Sequence, residues 1–198
     1  MTQDLRAVPW PVRTARLALR PATAGDLDTL WRIRRRPAVD EWLGHDVGER
    51  DAFVARLSDP DRLATLLVIE LGGEVVGDLT LHLEDAWAQS DADADRVRNQ
   101  QAVLGWVLDP EHGGQGYATE AVAGLLRICF EDLRLRRVRA YCFADNEPSW
   151  RLMERLGMRR EEHSLRDSLH RTRGWLDGMA YAMLADEWRD RRAGTPPV

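Results

Sequence analysis

The chain has 198 residues, enough for one compact domain with its own hydrophobic core, and no Pro/Ser/Gly-rich linker divides it. Its net charge is −5 and its 28 basic residues are all arginines interspersed with acidic residues, which argues against a protein that binds nucleic acid. The sequence contains no long apolar segment, no signal-peptide core and no metal-ligand spacing of histidines or cysteines. We therefore expect a cytoplasmic protein with no membrane span and no metal.

The predicted secondary structure follows the order β-α-α-β-β-β-α-β-α-β-β. Periodicity and turn residues predict a strand, two helices and two further strands in the first part: Leu17–Arg20, Ala24–Arg35, Glu49–Leu57, Ala64–Leu71 and Glu74–Leu83. Gly72-Gly73 lies between the last two strands and is a two-residue hairpin signal. Glu84–Asn99 is acidic and polar, and we predict a flexible loop there.

A glycine-rich turn follows the next predicted strand, Gln101–Leu108. After Asp109-Pro110, the turn His112–Gly116 leads into a predicted helix, Tyr117–Leu133. Such a turn directs several bare backbone N–H groups at one spot, and the helix dipole adds partial positive charge, which suits a phosphate or pyrophosphate. A plain strand-to-helix turn is the alternative. The segment lacks G-K-[ST] and G-x-G-x-x-G, so it matches neither a Walker-type nor a dinucleotide site.

A second strand-turn-helix unit begins with the predicted strand Arg136–Phe143. Asn146 is placed to cap the following helix with its side chain, and Gly157 is placed to end it. Cys129 and Cys142 lie in apolar runs and are predicted to be buried thiols, not a disulfide. We predict a disordered tail at Arg189–Val198.

Two motifs together resemble a known family. G-G-Q-G-Y-A-T-E-A starts at Gly113 and N-E-P-S-W-R-L-M-E-R-L-G-M starts at Asn146. The pair is similar to the GCN5-related N-acetyltransferase (GNAT) superfamily, more narrowly its RimJ/RimL-type branch. Thr14–Pro21 resembles the first strand of that branch, and Gly174–Trp188 resembles its last strand.

The resemblance covers nearly the whole chain and implies a fold. That fold is α+β (mixed α/β), with helices flanking a central mixed, mostly antiparallel sheet that is splayed between two parallel strands. It implies a single domain over residues 1–198, with a core at about 14–188, the flexible loop at 84–99 and the tail at 189–198.

The resemblance also implies acetyl-CoA as co-substrate, with no metal. Its pantetheine arm is expected at the edge of Gln101–Leu108, where a backbone N–H can polarise the thioester carbonyl, and its pyrophosphate at Gly114–Ala118. The family pattern [QR]-x-x-G-x-[GA] falls on Gly113–Ala118, with Gly113 in place of the opening Gln or Arg, which predicts a weaker phosphate clamp. The acetyl-CoA contacts that the resemblance implies are Val107, Leu108, Asp109, Gly113, Gly114, Gln115, Gly116, Tyr117, Ala118, Thr119, Asn146 and Ser149.

Three positions of the second motif bear on the thioester. Asn146 matches the family asparagine that holds the pantetheine or the acceptor amine, and a helix cap alone is its alternative role. Met153 stands where the superfamily tyrosine would protonate the leaving thiolate, and methionine cannot do this. Ser149 matches a serine that the branch places near the sulfur, and its hydroxyl is the expected proton donor, with an ordinary first-turn serine as the alternative.

A base, or a water path, must take a proton from the incoming ammonium. Glu161 has the best family match, and a solvated strand glutamate is its alternative role; the other candidates are Asp78, His82, Glu162, His163 and Asp177. A water chain would replace a dedicated base because an alkyl ammonium titrates near or above physiological pH. The acceptor pocket is expected at Pro37–Gly48, where Trp42, His45 and Asp46 are the candidate contacts.

These residues predict an acyl-CoA-dependent N-acyltransferase. It would transfer acetyl from acetyl-CoA to a primary amine by direct attack in a ternary complex. The amine would be a protein N-terminal α-amine or a small-molecule amine, and a homodimer is left open. The alternative is a catalytically silent acyl-CoA-binding or interaction module on the same fold, which Met153 and Gly113 favour.

Overall fold

A computed structural model describes residues 5–194. Within this range eight strands form one sheet, and their bounds are β1 Val12–Arg13, β2 Leu17–Pro21, β3 Leu66–Leu71, β4 Glu74–Glu84, β5 Gln101–Leu108, β6 Arg137–Phe143, β7 Arg159–His170 and β8 Gly174–Leu184. The strand order is β1-β2-β3-β4-β5-β6-β8-β7. Gln101–Val103 of β5 pairs in parallel with Arg137–Arg139 of β6, whereas the pairs β1–β2, β2–β3, β3–β4, β6–β8 and β7–β8 are antiparallel. The prediction of a mixed, mostly antiparallel sheet is confirmed.

The helices of the same range are mostly short. Their bounds are α1 Leu27–Arg34, α2 Pro37–Asp40, α3 Arg50–Leu57, α4 Pro60–Leu63, α5 Ala94–Val97, α6 Tyr117–Arg127, α7 Glu147–Leu156 and α8 Ala185–Arg192. A π-helical turn, Ile128–Asp132, continues α6, so the predicted helix Tyr117–Leu133 is regular in its first part and wider in its last. None of these helices is long and apolar enough to cross a membrane.

The chain divides into two compact units. The first unit comprises Leu5–Leu81 and Gly105–Leu125, and the second comprises His82–Leu104 and the chain from Leu126 onward. The single domain expected from the sequence stays a prediction.

The core of the first unit includes a cluster formed by α1, α3 and β3. Leu27 and Leu30 are fully buried on one side of α1, and they pack with Phe53 of α3 and Val68 of β3. The one-sided spacing of apolar residues in α1 accounts for this packing, because positions three apart share a helix face. The hairpin β3–β4 turns at Gly72 and Gly73, which have φ values of 61° and 92° that favour glycine and confirm the predicted hairpin signal.

The second unit is centred on β6, β8 and β7. Helix α7 ends at Gly157, whose φ of 81° is left-handed, as the sequence predicted for the end of this helix. Cys129 is buried as predicted, Cys142 is only half-buried, and both are free thiols.

The structure corrects the predicted tail. Arg189–Arg192 belongs to α8 and is not disordered, because Trp188 stacks on Phe130 with 5.8 Å between ring centroids and donates to Glu131. Residues 195–198 of the predicted tail lie outside the described residues.

The predicted loop Glu84–Asn99 also contains regular structure. A 3-10 turn at Asp91–Asp93 leads into α5, and the Asp85 carboxylate accepts from the Asn99 N–H at 2.8 Å. The helix has only four residues, and its polar composition resembles that of a loop.

Candidate functional site

The glycine-rich turn lies in the first unit, between β5 and α6. Gly114 and Gly116 have φ values of 74° and 80°, which L side chains rarely adopt. Among the residues that the structure describes, no acceptor is found for the N–H groups of six consecutive residues, Gly114 to Thr119. The next N–H, that of Glu120, donates to the Gly116 carbonyl at 3.0 Å and starts the helical pattern. The turn therefore presents a row of unsatisfied donors at the positive end of a helix dipole.

Asp109 has a structural role at the entrance to this turn. Its carboxylate accepts from the Glu111 N–H at 3.1 Å and caps a 3-10 turn at Pro110–His112. It also pairs with Arg36 at 3.3 Å. Because these contacts occupy a mostly buried carboxylate, Asp109 is better placed to hold the turn than to contact a ligand directly.

Val107 and Leu108 form the end of β5, close to β4. A Cβ atom on Gly77 of β4 would lie 2.3 Å from the Val107 carbonyl oxygen and 3.1 Å from the Leu108 Cα. Glycine at position 77 thus allows the backbones of the two strands to approach closely at the residues that the sequence assigned to pantetheine.

Asn146 and Ser149 lie together at the start of α7, in the second unit. Asn146 is the N-cap residue, yet its side chain makes no capping hydrogen bond, which corrects the predicted side-chain cap. Its backbone carbonyl accepts from the Ser149 N–H at 3.1 Å. Within residues 5–194, neither the Asn146 carboxamide nor the Ser149 hydroxyl has a hydrogen-bond partner. Both side chains are half-buried, so two polar groups that are unpaired in this range lie close together in the first turn of α7. Met153 is fully buried in the core.

Glu161 is paired with two arginines. It accepts from Arg137 at 3.0 Å and from Arg159 at 2.8 Å. Partial burial disfavours the charged carboxylate, but the hydrogen bonds and charges of Arg137 and Arg159 outweigh it and hold the pKa of Glu161 below its usual range. A carboxylate stabilised in this way has a low proton affinity, which makes it a weak base.

Apart from His82, the other candidate bases are also engaged, and Glu162 accepts from the Ser164 hydroxyl. Asp78 is buried and bound by the Arg34 guanidinium through contacts of 3.0 Å and 2.5 Å. Asp177 accepts from the Arg166 N–H at 3.0 Å and lies 3.0 Å from His163 Nε2, and these contacts lower its pKa. His82 is exposed.

The candidate acceptor residues lie in the first unit, after α2. Trp42 is half-buried, whereas His45 and Asp46 are exposed. His45 Nε2 is 3.5 Å from Arg34 Nη1, and the Asp46 carbonyl accepts from Arg56 at 3.1 Å. The buried Arg34 therefore links the segment that contains His45 to Asp78 on β4. Arg34 lies within the predicted helix Ala24–Arg35, and nothing in the local pattern revealed its partner.

The predicted site residues divide between the two units. The strand end, the glycine-rich turn and the acceptor residues belong to the first unit, and Asn146, Ser149 and Glu161 belong to the second. Among the described residues, no group of three or more His, Cys, Asp or Glu side chains is placed to hold a metal ion.

Relatives of known class match this chain. YnaD of Bacillus subtilis (strain 168), named an uncharacterized N-acetyltransferase, is 38% identical over 85 residues, which are 43% of this chain and 49% of YnaD. The matched region thus spans about half the length of that curated relative.

Solved structures resemble the chain over most of its length. The acetyltransferase (GNAT family) from Bacillus anthracis has a TM-score of 0.74 and 26% identity, covering 89% of this chain and 99% of that one. RimJ of Mycobacterium smegmatis, solved in complex with CoA-disulfide, has a TM-score of 0.69 and 26% identity, covering 90% and 89% of the two chains. The predicted GNAT fold and the likeness to the RimJ/RimL-type branch are confirmed.

The family model described as "Acetyltransferase (GNAT) domain" matches residues 16–159. This match covers β2 to the start of β7 and includes both sequence motifs. The chain belongs to the GNAT acetyltransferase family.

Proposed function

We propose that the protein is an N-acetyltransferase that transfers acetyl from acetyl-CoA to a primary amine. The observation that carries the proposal is the row of six unsatisfied N–H groups from Gly114 to Thr119 at the start of α6. A pyrophosphate needs several donors that converge without side chains between them. Gly114 and Gly116 leave the turn without side chains at two positions. The φ of 80° at Gly116 favours glycine, and the space beside Gly114 is open.

Acetyl-CoA fits the residues present. The N–H groups of Gly114–Thr119 would hold the pyrophosphate, and the end of β5 at Val107 and Leu108 would offer backbone groups to the pantetheine arm. A backbone N–H at this strand end would stabilise negative charge on the thioester oxygen, as an oxyanion hole does. Asp109 would stabilise the start of the turn through its contacts with Glu111 and Arg36.

The transfer step requires one new bond and two proton movements. The amine nitrogen bonds to the thioester carbonyl carbon, and the C–S bond breaks with its electron pair on sulfur. In the proposal, the Ser149 hydroxyl donates a proton to that thiolate and recovers one from solvent. The Asn146 carboxamide orients the pantetheine or the amine. Their lack of protein partners supports these roles, because neither group must first break an internal hydrogen bond.

The acceptor's proton would leave through water. An α-amine has a pKa of about 8 and a lysine-like amine about 10, so a fraction of either is neutral near physiological pH. The paired state and lowered pKa of Glu161 disfavour it as the base. We therefore assign proton removal to ordered or bulk water and not to Glu161.

The acceptor is expected to carry positive charge when it arrives. Asp40, Glu41 and Asp46 make the segment before α3 acidic, and Trp42 and His45 lie in the same segment. This composition favours a cationic amine and is compatible with both a peptide N-terminus and a small polyamine. A cytoplasmic location and a homodimer also stay predictions.

The catalytically silent module is the second candidate, and two residues favour it. Met153 is buried and cannot serve as the proton donor, and Gly113 lacks the side chain that opens the family's phosphate pattern. A silent module would gain thermal stability from acetyl-CoA but would release no CoA with any amine.

The test is a CoA-release assay with N-terminal peptides and small polyamines, alongside acetyl-CoA binding by calorimetry. Thiol reagents will report CoA with little background, because burial raises the pKa of Cys129 and raises that of Cys142 to about 11. Turnover with at least one amine class is expected. Binding without turnover across the whole panel would favour the silent module.

Gly116→Asp tests the site itself. The substitution puts a carboxylate where the pyrophosphate is expected, and we expect acetyl-CoA affinity to fall more than tenfold, or about 1.4 kcal/mol. Gly72→Asp is the matched control, because Gly72 has a similar φ of 61° and open surroundings in the β3–β4 hairpin. Unchanged affinity in a folded Gly116→Asp protein would reject the assignment.

A further inference from the structure

We propose that Arg16 is a positioning residue that fixes the orientation of the phosphate-binding turn. The proposal rests on the function proposed above and concerns how the first unit builds its acetyl-CoA site. Arg16 lies in the link between β1 and β2, and the turn lies about a hundred residues further along the chain.

Glu120, in the first part of α6, anchors the link that carries Arg16. Glu120 Oε1 accepts from the Thr14 hydroxyl at 2.6 Å and from the Arg16 N–H at 2.7 Å. Glu120 Oε2 accepts from Arg16 Nε at 2.7 Å. Both carboxylate oxygens are therefore used, and together they hold the Arg16 backbone and side chain at the start of the helix.

The other edge of the guanidinium holds the turn. Arg16 Nη1 donates to the Gln115 carbonyl at 2.9 Å, and the guanidinium lies over the Tyr117 ring at 4.4 Å from its centroid. A trans peptide unit is planar, with its C=O and N–H directed to opposite sides. Fixing the Gln115 carbonyl toward Arg16 therefore directs the Gly116 N–H away from Arg16, as one of the six free donors.

This contact acts mainly through geometry and not through charge. Glu120 neutralises Arg16, and although partial burial opposes ionisation, the bonds from Thr14 and Arg16 hold the pKa of Glu120 below its usual range. The ion pair is thus formed at neutral pH and adds little net positive charge beside the turn. Further along, α6 packs closely on β2, because a Cβ on Gly124 would lie 2.9 Å from Leu19 Cδ1.

The role compensates for a departure from the family pattern. Gly113 stands where the pattern opens with Gln or Arg, so position 113 contributes no side chain to the turn. Arg16 supplies a planar, multidentate donor from a different part of the first unit. Lysine cannot replace it, because a single ammonium cannot bridge Glu120 and the Gln115 carbonyl in the same fixed plane.

The experiment compares Arg16→Gln, Arg16→Lys and Glu120→Gln with the control Arg13→Gln, an exposed arginine on β1. Dissociation constants for acetyl-CoA are measured by calorimetry. Steady-state rates are measured with acetyl-CoA and with S-acetylpantetheine, which lacks the pyrophosphate. Far-UV circular dichroism and thermal melts verify folding.

We expect both Arg16 variants to weaken acetyl-CoA binding about tenfold. Their kcat at saturating acetyl-CoA should change less than threefold, and their kcat/KM for S-acetylpantetheine should match that of the wild type. Glu120→Gln gives the sharpest distinction. It removes a negative charge, so a charge effect would tighten anion binding, whereas lost positioning weakens it, because the new NH2 group would oppose Arg16 Nε.

Four results would each overturn the proposal, and the first three concern the affinity for acetyl-CoA. They are wild-type affinity in Arg16→Gln, full rescue by Arg16→Lys, or tighter binding in Glu120→Gln. An equal loss with acetyl-CoA and S-acetylpantetheine would indicate a general structural role and would also overturn it. Failure of the proposed function is distinct, because the wild-type protein itself would then either bind no acetyl-CoA or bind it without turnover of either acetyl donor.

Discussion

The candidate catalytic side chains differ in their hydrogen bonding to the described residues: those at the start of α7 are unpaired, whereas the candidate base on β7 is paired. The Ser149 hydroxyl and the Asn146 carboxamide have no hydrogen-bond partner within the part of the chain that the structure describes. Glu161, in contrast, is held by Arg137 and Arg159. The arginine pairs lower the proton affinity of Glu161, whereas the Ser149 hydroxyl has no hydrogen bond within residues 5–194 to break, so these contacts favour Ser149 as donor and disfavour Glu161 as base.

Ser149→Ala should lower kcat and leave the acetyl-CoA dissociation constant nearly unchanged. The hydroxyl is proposed to act on the leaving thiolate, and loss of one such contact costs at most a few kcal/mol, so we expect kcat to fall about 10- to 100-fold. Ser58→Ala, at an exposed position after α3, is the control. Stopped-flow or steady-state CoA release measures the change. A wild-type kcat in Ser149→Ala would assign protonation to water or another group.

Glu161→Gln should leave the pH profile of kcat/KM almost intact. The arginine pairs hold the pKa of Glu161 below its usual range, so its carboxylate is already charged throughout the neutral range and cannot produce a limb there. The rate should instead rise through the acceptor's own pKa and then level. Rate measurements with two amines of different pKa test this, because the limb should move with the amine. Loss of the limb in Glu161→Gln, with acetyl-CoA binding preserved, would identify Glu161 as the base.

At the scale of elements, β4 packs closely against the end of β5, where the pantetheine arm is expected to bind. Gly77 on β4 faces the Val107 carbonyl so closely that a Cβ would lie 2.3 Å away, against backbone that cannot rotate aside. The N–H of Asp109 also donates to the Val76 carbonyl at 2.8 Å. The end of β5 therefore depends on the absence of a side chain at position 77.

Gly77→Ala should destabilise the protein by about 1–3 kcal/mol or more, since overpacking of this size forces backbone movement. It should also weaken acetyl-CoA binding, because Val107 and Leu108 would be displaced. Gly44→Ala is the matched control, because a Cβ there meets nothing within 4 Å and its φ is not positive. Urea unfolding and calorimetry measure both effects. Equal stability of the two variants would contradict the close approach.

The elements whose signals were local could be predicted from the sequence. Gly72-Gly73 and Gly157 mark a hairpin and a helix end because positive φ depends on glycine itself. Helix α8 was missed because Trp188 and Arg192 find their partners, Phe130 and Glu131, only in the folded chain. Tertiary contacts outweighed a polar composition there.

For the candidate site, too, only the residues with local sequence signals could be proposed from the sequence. The glycine-rich turn and Ser149 could be proposed from the sequence because each lies within a short motif, and their roles stay predictions. The residue that holds the turn was not found, since Arg16 and Glu120 are separated by 104 positions and neither belongs to a recognisable pair. The resemblance supplied the family, and the structure supplied the contacts that support the turn.

At the scale of the whole molecule, the two units share continuous elements. Strand β4 runs from Glu74 to Glu84 and β5 from Gln101 to Leu108, and each contributes residues to both units, as does α6. The boundary between the units falls inside all three elements, after Leu81 in β4, after Leu104 in β5 and after Leu125 in α6. The chain's eight tryptophans divide evenly: Trp10, Trp31, Trp42 and Trp106 lie in the first unit, and Trp87, Trp150, Trp175 and Trp188 lie in the second.

We therefore predict a single cooperative unfolding transition that acetyl-CoA moves as a whole. Tryptophan fluorescence reports both units and far-UV circular dichroism reports the sheet and helices, so the two signals should change together in urea or on heating. At about 100 times its dissociation constant, acetyl-CoA should add about 2.7 kcal/mol to the free energy of unfolding. Gly116→Asp should retain one transition but lose the shift, because its binding turn is blocked while its strands are intact. Two separate transitions, or a ligand shift confined to one of them, would show that the units are independent domains and would contradict the single-domain prediction.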